Sequence, residues 1–426
     1  MKILLLGSGS REHAFAWKIK QSPLLTDLFI LPGNGGTESL GTNIPGSVNN
    51  FPLIKQKVIE LGIDLVLVGP EEPLILGVKD FFESDPEISK VPVIGPRKGS
   101  AELEGSKDFS KQFMMSRDIP TASYKTFTHD EIEEGIDYIR NHSLPIVLKA
   151  DGLAAGKGVL ICSDYDSAIK GFLEIIQDKK FGKSGDKVVI ESFLDGIEMS
   201  LFVLTDGKSY KILPEAKDYK KIGEGDKGLN TGGMGSVSPV PFFDDVLKDK
   251  INTQIVVPTL EGLREEGIEY FGFLFIGLMI VDAEPWVIEY NVRMGDPETQ
   301  SVLPRIETDF LELLKAVADQ NLDTIRMKTS PLSAVTMVSV SGGYPEDFKK
   351  GFPIQFQGPL DSNQFYFQGG TIMDNGILKT NGGRVISATA LGENLNSARE
   401  KAMKASENII YEGRYFRKDI GLDIMK

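Results

Sequence analysis

Two lysines frame a glycine-rich turn between Pro145 and Val159. Lys149 ends the apolar run Ile146-Val147-Leu148, while Lys157 sits between Gly156 and Gly158, downstream of Gly152. Glycine has no Cβ, so such a turn can aim backbone N–H groups at anionic oxygens while two ammonium groups offset the phosphate charge. That is the chemistry of a nucleotide phosphate clamp. It is not the G-x-x-x-x-G-K-[ST] loop, because only three residues separate Gly152 from Gly156 and Gly158 stands where the magnesium-binding hydroxyl should be. A solvated hairpin with two surface lysines accounts for this turn taken alone, and the segments downstream decide between the two.

Downstream, Trp286 to Arg293 reads as a strand. Alternation puts Trp286, Ile288, Tyr290 and Val292 on one face and Val287, Glu289, Asn291 and Arg293 on the other. Two oxygen ligands and a guanidinium then share one side. Mg2+ takes hard oxygen donors and keeps bound phosphates as further ligands, so Glu289 and Asn291 suit a metal-ATP site, with Arg293 free for a carboxylate or phosphate. An edge strand with a polar solvent face would show the same pattern. Lys187 to Glu191 and Ile197 to Leu204 add two strand-like runs around the turn Leu194-Asp195-Gly196, which sets Glu191 and Glu198 at strand edges near a bend.

The elements that must position these residues fall into several units. From residue 1 to 101, the strand-like runs 3–6, 28–31, 65–68 and 91–94 alternate with helix-like segments, the pattern of an open parallel α/β sheet. Ligands of such sheets gather at the strand C-ends, where the loops carry Gly7, Gly9 and Arg11, then Gly33 to Gly36, then Gly69, Pro70 and Glu71. A dinucleotide site fails twice: Glu12 replaces the third glycine, and the second strand ends in Pro32-Gly33 and not in an acidic residue.

Residues 102–305 hold the lysine turn and the Glu289 strand, with a small α+β lid at 120–193 in which Ile169, Phe172, Leu173 and Ile176 recur at helical spacing and mark core. Residues 214–239 mix charge with glycine and lack periodicity, as expected of a mobile loop over a site. A helical connector at 306–328 leads to an α+β unit at 329–426, whose closing helix shows Ala398, Ala402, Ala405 and Ile409 on one face.

At 426 residues, with 41% hydrophobic and 25% charged residues, the chain should divide into about two to four domains. No apolar run reaches membrane-spanning length, and Met1-Lys2 leads directly into a strand with no small-residue cleavage site, so a cytoplasmic protein is expected. The single cysteine, Cys162, excludes an intramolecular disulfide and reads as a small buried hydrophobe. A net charge of −14 argues against nucleic acid as a partner. His13, His129 and His142 form no metal or triad pattern; His129 and His142 flank a helix whose Thr128-x-x-Glu131 start is a capping box.

The order of motifs is specific. Gly7-Ser8-Gly9-Ser10-Arg11-Glu12-His13, Pro32-Gly33-Asn34-Gly35-Gly36-Thr37, Gly69-Pro70-Glu71, Leu103-Glu104-Gly105-Ser106-Lys107, the lysine turn, Asn230-Thr231-Gly232-Gly233-Met234-Gly235, Arg293-Met294-Gly295-Asp296-Pro297-Glu298-Thr299-Gln300, Thr380-Asn381-Gly382-Gly383-Arg384-Val385 and Phe416-Arg417-Lys418-Asp419-Ile420-Gly421 follow one another over nearly the whole chain. In this the chain resembles the glycinamide ribonucleotide synthetase family of ATP-grasp ligases. The resemblance implies an α/β fold with an N-terminal open parallel sheet, a central ATP-grasp domain and a C-terminal α+β domain.

It also implies ATP as co-substrate, Mg2+ (or Mn2+), and glycine and 5-phosphoribosylamine as substrates of a carbon-nitrogen ligation through glycyl phosphate. Carried over residue by residue, Lys149 and Lys157 fall to the ATP phosphates, Lys107 to ATP binding, Glu191 and Glu198 to adenine and ribose, and Glu289 with Asn291 to the metal. Arg293, Asp296 and Asp218 fall to the glycine and amine side. The loops with Gly9, Arg11, Glu12, Gly33, Asn34, Gly36 and Glu71 fall to the phosphoribosyl group, and Asn230, Thr231, Gly232, Gly233, Met234 and Gly295 are substrate-binding. A guanidinium at Arg11, at the start of a helix, is expected to meet the phosphate, against the alternative of an ion pair with a nearby carboxylate.

The resemblance has departures. Ser10 replaces a usual glycine, Lys217-Asp218-Tyr219-Lys220-Lys221 a usual Gln-Asp-His-Lys-Arg, and Asp226-Lys227-Gly228-Leu229 a usual Asp-Thr-Gly-Pro. The chain ends at Lys426 without room for the fused synthetase domains of eukaryotic forms, so a monofunctional bacterial-type enzyme is expected, monomeric or weakly dimeric, with no nucleic-acid or membrane partner. A sister ATP-grasp ligase using bicarbonate or formate would share the lysines and the metal strand but not the full motif order. A non-catalytic nucleotide-binding regulator would lack the metal ligands or the lysines.

Overall fold

The computed structural model of the chain describes residues 1–152 and 158–425; Lys157 lies outside them. In β1 (Lys2–Gly7) the four residues Ile3 to Leu6 leave no polar face and are fully buried, as suits a parallel strand covered on both sides. β1 is the centre of an all-parallel sheet ordered β3-β2-β1-β4-β5, with β2 at Asp27–Pro32, β3 at Thr42–Asn43, β4 at Leu65–Val68 and β5 at Val93–Ile94. The turns after β1 and β2 open side by side, because Gly7 pairs with Pro32 at the end of both strands.

The lid is an antiparallel sheet ordered β6-β9-β7-β8, from Tyr124–Thr128 (β6), Ile146–Ala150 (β7), Val159–Cys162 (β8) and Lys187–Ser192 (β9). Its helix Ile132–Arg140 follows the expected Thr128/Glu131 capping box. The helix Tyr165–Ile176 buries Ala168, Phe172, Ile175 and Ile176, so its core face is rotated from the expected one and leaves Ile169 and Leu173 half-buried at the border. Gly171 lies on the rotated face, where a Cβ would come within 2.9 Å of Leu160 and 3.2 Å of Leu148, so the helix packs against the sheet there without a side chain.

The central sheet is antiparallel, ordered β11-β10-β16-β17, with β10 at Ile197–Thr205, β11 at Tyr210–Ile212, β16 at Gly272–Val281 and β17 at Glu284–Asn291. β17 breaks the expected alternation. Gly277 pairs with Glu289 but Leu278 with Val287, so Ile288 is the extra residue of a bulge. Val287 therefore joins Tyr290 and Val292 in the core, while Glu289, Asn291 and Arg293 still share one cleft wall.

Residues 214–239 are not the irregular loop expected. They contain β12 (Lys217–Asp218), a hairpin of β13 (Lys221–Gly223) with β14 (Lys227–Asn230), and β15 (Gly235–Ser238). β12 and β15 belong to the C-terminal antiparallel sheet, ordered β12-β15-β18-β23-β20 with β18 at Ser333–Val340, β20 at Gln364–Gln368 and β23 at Arg384–Gly392. Between its strands, β19 (Gln355–Phe356) pairs with β24 (Ile409–Ile410), and β21 (Thr371–Asp374) with β22 (Ile377–Thr380) forms a hairpin. Residues 310–318 of the expected connector form a helix sunk between the first and central sheets, where Phe310 stacks on Phe15 and Phe273 at centroid distances of 5.8 and 6.2 Å. Among the described residues, no helix is long and apolar enough to cross a membrane.

Candidate active site

Two cavities flank residues 293–296: Arg293 lines one and Asp296 the other. The narrower, of about 130 Å3, lies between the lid and the central sheet and is lined by Lys107, Lys111, Lys149, Glu191, Glu289 and Asn291 among others. β7 carries Lys149 into it, and the Lys149 Nζ lies 3.0 Å from both the Ile288 carbonyl oxygen and Glu191 Oε1. Glu191 reaches it from β9, because Val147, two residues before Lys149, is its register partner. Lys111 Nζ stands 3.1 Å from Glu191 Oε2 and donates to Thr121 Oγ1 at 2.8 Å. Burial lowers the Lys111 ammonium to about 8, against the pull of Glu191. Lys107 donates to the Gly152 carbonyl at 3.2 Å, and burial lowers it also.

Lys111 escaped the sequence reading. It follows Lys107 at i+4 on one helix, a spacing that puts both ammonium groups on the same face.

Glu289 is ringed by cations. Desolvation opposes its charge, yet Lys220, Lys149, Lys107 and Arg293 together hold its carboxyl below the usual range. Lys220 pairs with Glu198 and lies 4.0 Å from Glu289. Glu198 thus faces the Lys220 side of the site, whereas Glu191 faces the cleft. Burial pushes Asp218 up; Lys220 opposes the shift, and Glu298 and Glu198 add to it. A Cβ on Gly295 would meet Glu298 Oε2 at 2.5 Å, so that glycine makes room for a buried carboxylate.

Arg293 binds two carboxylates, Glu104 Oε1 at 2.8 Å and Glu71 Oε2 at 3.2 Å, and the other oxygen of Glu104 accepts the Val292 N–H at 2.7 Å. Burial carries Glu104 up to about 7 despite Arg293. Burial also opposes ionisation of Glu71, but Arg293 and Arg11 outweigh it and hold that carboxyl at about 2.

The wider cavity, of about 740 Å3, lies between the first sheet and the C-terminal unit, lined by Gly9, Gly33, Asn34, Gly370, Asp296 and Arg384 among others. Five glycines, Gly9, Gly33, Gly35, Gly369 and Gly370, are among its lining residues. Gly33 has φ +74°, and a Cβ there would strike Asn43 Oδ1 at 2.1 Å, so only glycine fits this turn. Arg384 reaches in from β23, donates to the Gly232 and Asp296 carbonyl oxygens at 2.6 Å each and approaches Asp296 Oδ2 at 3.2 Å. It stands in the Thr380-Asn381-Gly382-Gly383-Arg384-Val385 motif, whose spacing alone implies no role for it.

Several expected contacts go elsewhere. Arg11 Nε donates to Glu12 Oε1 at 2.7 Å and Nη1 to the Met294 carbonyl at 3.0 Å, so the ion-pair alternative is what the structure holds. Glu12 is buried and also accepts the Gly9 N–H at 2.6 Å. A Cβ on Gly7 or Gly69 would lie within 2.4 Å of that side chain, so these glycines accommodate Glu12. Asn34 organises its own turn, donating to the Ser8 and Gln368 carbonyls at 2.9 and 2.7 Å and accepting the Gly36 N–H at 2.8 Å. Gly36 itself packs on the His13 ring, at 2.3 Å from a would-be Cβ.

In the 230–234 turn, the Met234 side chain is fully buried with Val338 and Val340. Thr231 Oγ1 donates to the Lys220 carbonyl at 2.8 Å and accepts the Gly233 N–H at 3.0 Å, which ties the turn to the site. Gly232 supplies the carbonyl that holds Arg384, and Asn230 ends β14.

The donor set fits a magnesium or manganese ion that brings its own phosphate oxygens. Glu289 and Asn291 offer hard oxygens on one wall, and the cations around Glu289 occupy a place where positive charge is favoured. Among the described residues, no group of three or more His, Cys, Asp or Glu is arranged to hold an ion by protein alone.

Comparison with known proteins agrees with this geometry. Family models described as the phosphoribosylglycinamide synthetase N domain, ATP-grasp (A) domain and C domain match residues 1–104, 105–299 and 334–423. A phosphoribosylamine-glycine ligase of Haemophilus influenzae is 42% identical over 425 residues, covering 99% of this chain and 98% of that protein. The bifunctional purine biosynthetic protein PUR2,5 of Pichia angusta is 43% identical over 426 residues, and the match takes up 53% of its length. The crystal structure of the Thermotoga maritima phosphoribosylamine-glycine ligase superposes with a TM-score of 0.85 at 34% identity, covering 98% of this chain and 100% of that one. At 14% identity, the biotin carboxylase domain of a Hydrogenobacter thermophilus carboxylase, with a TM-score of 0.74, shares the fold alone. A chain that aligns from end to end with these ligases and carries the three domains in order belongs to the phosphoribosylglycinamide synthetase family.

Proposed function

We propose that this chain joins glycine to 5-phosphoribosylamine at the expense of ATP, giving glycinamide ribonucleotide, ADP and phosphate in purine biosynthesis. A glycine carboxylate oxygen attacks the γ-phosphorus and the bond to the β-phosphate oxygen breaks. The amine nitrogen then forms the amide bond at the acyl carbon, phosphate leaves, and the nitrogen loses a proton. A carboxylate leaves poorly as oxide and well as phosphate, so the protein's work is to offset charge, align the nucleophiles and exclude water.

In this reading Lys107 and Lys149 offset the phosphates, and Glu191 holds Lys149 and Lys111 in place at the inner end of the cleft. Glu289 and Asn291 hold Mg2+ or Mn2+, which when bound neutralises charge on the transferring phosphoryl group. Arg293 orients the glycine carboxylate, Asp296 and Asp218 face the amine side, and the glycine turns around Gly9 and Gly33 cradle the phosphoribosyl phosphate. The observation that carries the proposal is the placement of the two cavities on one short stretch of chain: Arg293 lines the narrow cleft and Asp296, three residues on, lines the wide one.

The test is coupled ADP detection with single-substrate omissions. ADP release should require magnesium, glycine and phosphoribosylamine together. Equal release with bicarbonate or formate in place of glycine would assign the chain to another ligation.

A further inference from the structure

Lys217 to Lys220 run through two environments. Asp218 and Lys220 turn toward Glu198, Glu289 and Glu298, whereas Tyr219 turns the other way, 4% exposed, into the C-terminal core beside Val237, Met337, Phe416 and Ile420. The Tyr219 hydroxyl donates to Asp423 Oδ1 at 2.5 Å, the Lys217 ammonium lies 3.2 Å from Asp423 Oδ2 and 3.9 Å from the Tyr219 ring centroid, and Arg417 lies 5.4 Å from the same ring. Around this contact the chain end is laced to the same segment. Arg417, 2% exposed, donates to the Lys221 carbonyl at 2.9 Å and to Asp226 at 3.0 Å, and Asp419 accepts the Gly225 N–H at 2.7 Å.

We infer that Tyr219, Lys217 and Asp423 form a positioning unit through which the C-terminal segment fixes Asp218 and Lys220 against Glu289. The inference rests on the proposed reaction only in taking Asp218 and Lys220 as part of its site. The physical argument is leverage. Tyr219 sits between the two site residues on one extended stretch, so a displacement of its ring moves both, and a misplacement of about 1 Å can cost a factor of about a hundred in rate. Tyr219 packs in the C-terminal core and is not among the residues lining the cleft, so its effect should appear in turnover and not in ATP binding.

The experiment is a double-mutant cycle on the full chain with Tyr219→Phe and Asp423→Asn, reading turnover, the Michaelis constants and thermal unfolding. Each single change should lower kcat about fivefold to twentyfold and leave the ATP constant within about twofold, and the double variant should be no worse than the weaker single one, as for two members of one unit. Unchanged kcat, multiplicative losses in the double variant, or losses that only follow the unfolded fraction would overturn the inference. Asp423 is half-exposed, so Asp423→Asn keeps the test decisive even if Tyr219→Phe folds poorly. Wild-type turnover is read in the same assay, so a failure of the proposed reaction is seen separately from a failure of this coupling.

Discussion

In the proposed reaction, the narrow cleft and the wide cavity would hold anions in opposite ways. The cleft uses charged side chains from four elements: Lys107 and Lys111 from a helix, Lys149 from β7, Glu191 from β9 and Glu289 from β17. The wide cavity is lined by glycine-bearing segments, with Gly9, Gly33, Gly35, Gly369 and Gly370, and has Arg384 as the guanidinium among its lining residues. Charged clamps suit a polyphosphate whose charge changes during reaction. A backbone cradle suits a phosphate that is only carried.

Glu289 is where the comparison breaks most sharply, since in the proposed reaction its charge would serve the reacting phosphate and the neutral Asn291 would not replace it. Glu289→Gln should lower turnover by about two orders of magnitude or more in the coupled ADP assay, with thermal unfolding little changed. Near-normal turnover would remove Glu289 from the metal site.

Arg384→Ala sharpens the contrast from the other side. The apparent Michaelis constant for phosphoribosylamine should rise about tenfold while that for ATP stays within about threefold, because binding is lost at one substrate only. Steady-state kinetics with each substrate varied decides it, and a main effect on ATP would mean the two cavities are assigned the wrong way round.

The smallest effect is on stability with pH. Burial lowers the His13 imidazole to about 4, and its Nδ1 accepts the Gln368 N–H at 3.0 Å, which requires that nitrogen unprotonated. A folded value below the ordinary one means that this contribution is complete above about 6.5 and is lost as pH falls from there toward about 4. His13→Gln, which offers an acceptor that does not titrate, should flatten the unfolding free energy across that window. An unchanged slope in chemical denaturation would show that His13 is not the group responsible.

Residue type and spacing made the cleft legible. Lys149, Glu191, Glu289, Asn291 and Arg293 all stand together as their strands imply, and the parallel first sheet follows from apolar runs such as Ile3 to Leu6. What could not be read was set by contacts distant in the chain. The bulge at Ile288 depends on the pairing of Glu289 with Gly277, and β15 forms because β18 offers it an edge, on which β12 pairs in turn. Arg11 looked like a phosphate ligand because nothing local says that Glu12 folds back beneath Gly7, Gly9 and Gly69. Arg384 was visible as a motif residue, but its role depends on Gly232 and Asp296 being brought to it.

The most direct measurement is a crystal structure of the chain with magnesium, ADP and glycinamide ribonucleotide bound together. The account predicts the ADP phosphates beside Lys107 and Lys149 with the metal on Glu289 and Asn291, and the ribonucleotide phosphate among the turns at Gly9, Gly33 and Gly370 beside Arg384. ADP in the wide cavity, or the ribonucleotide phosphate against the lysines, would contradict it.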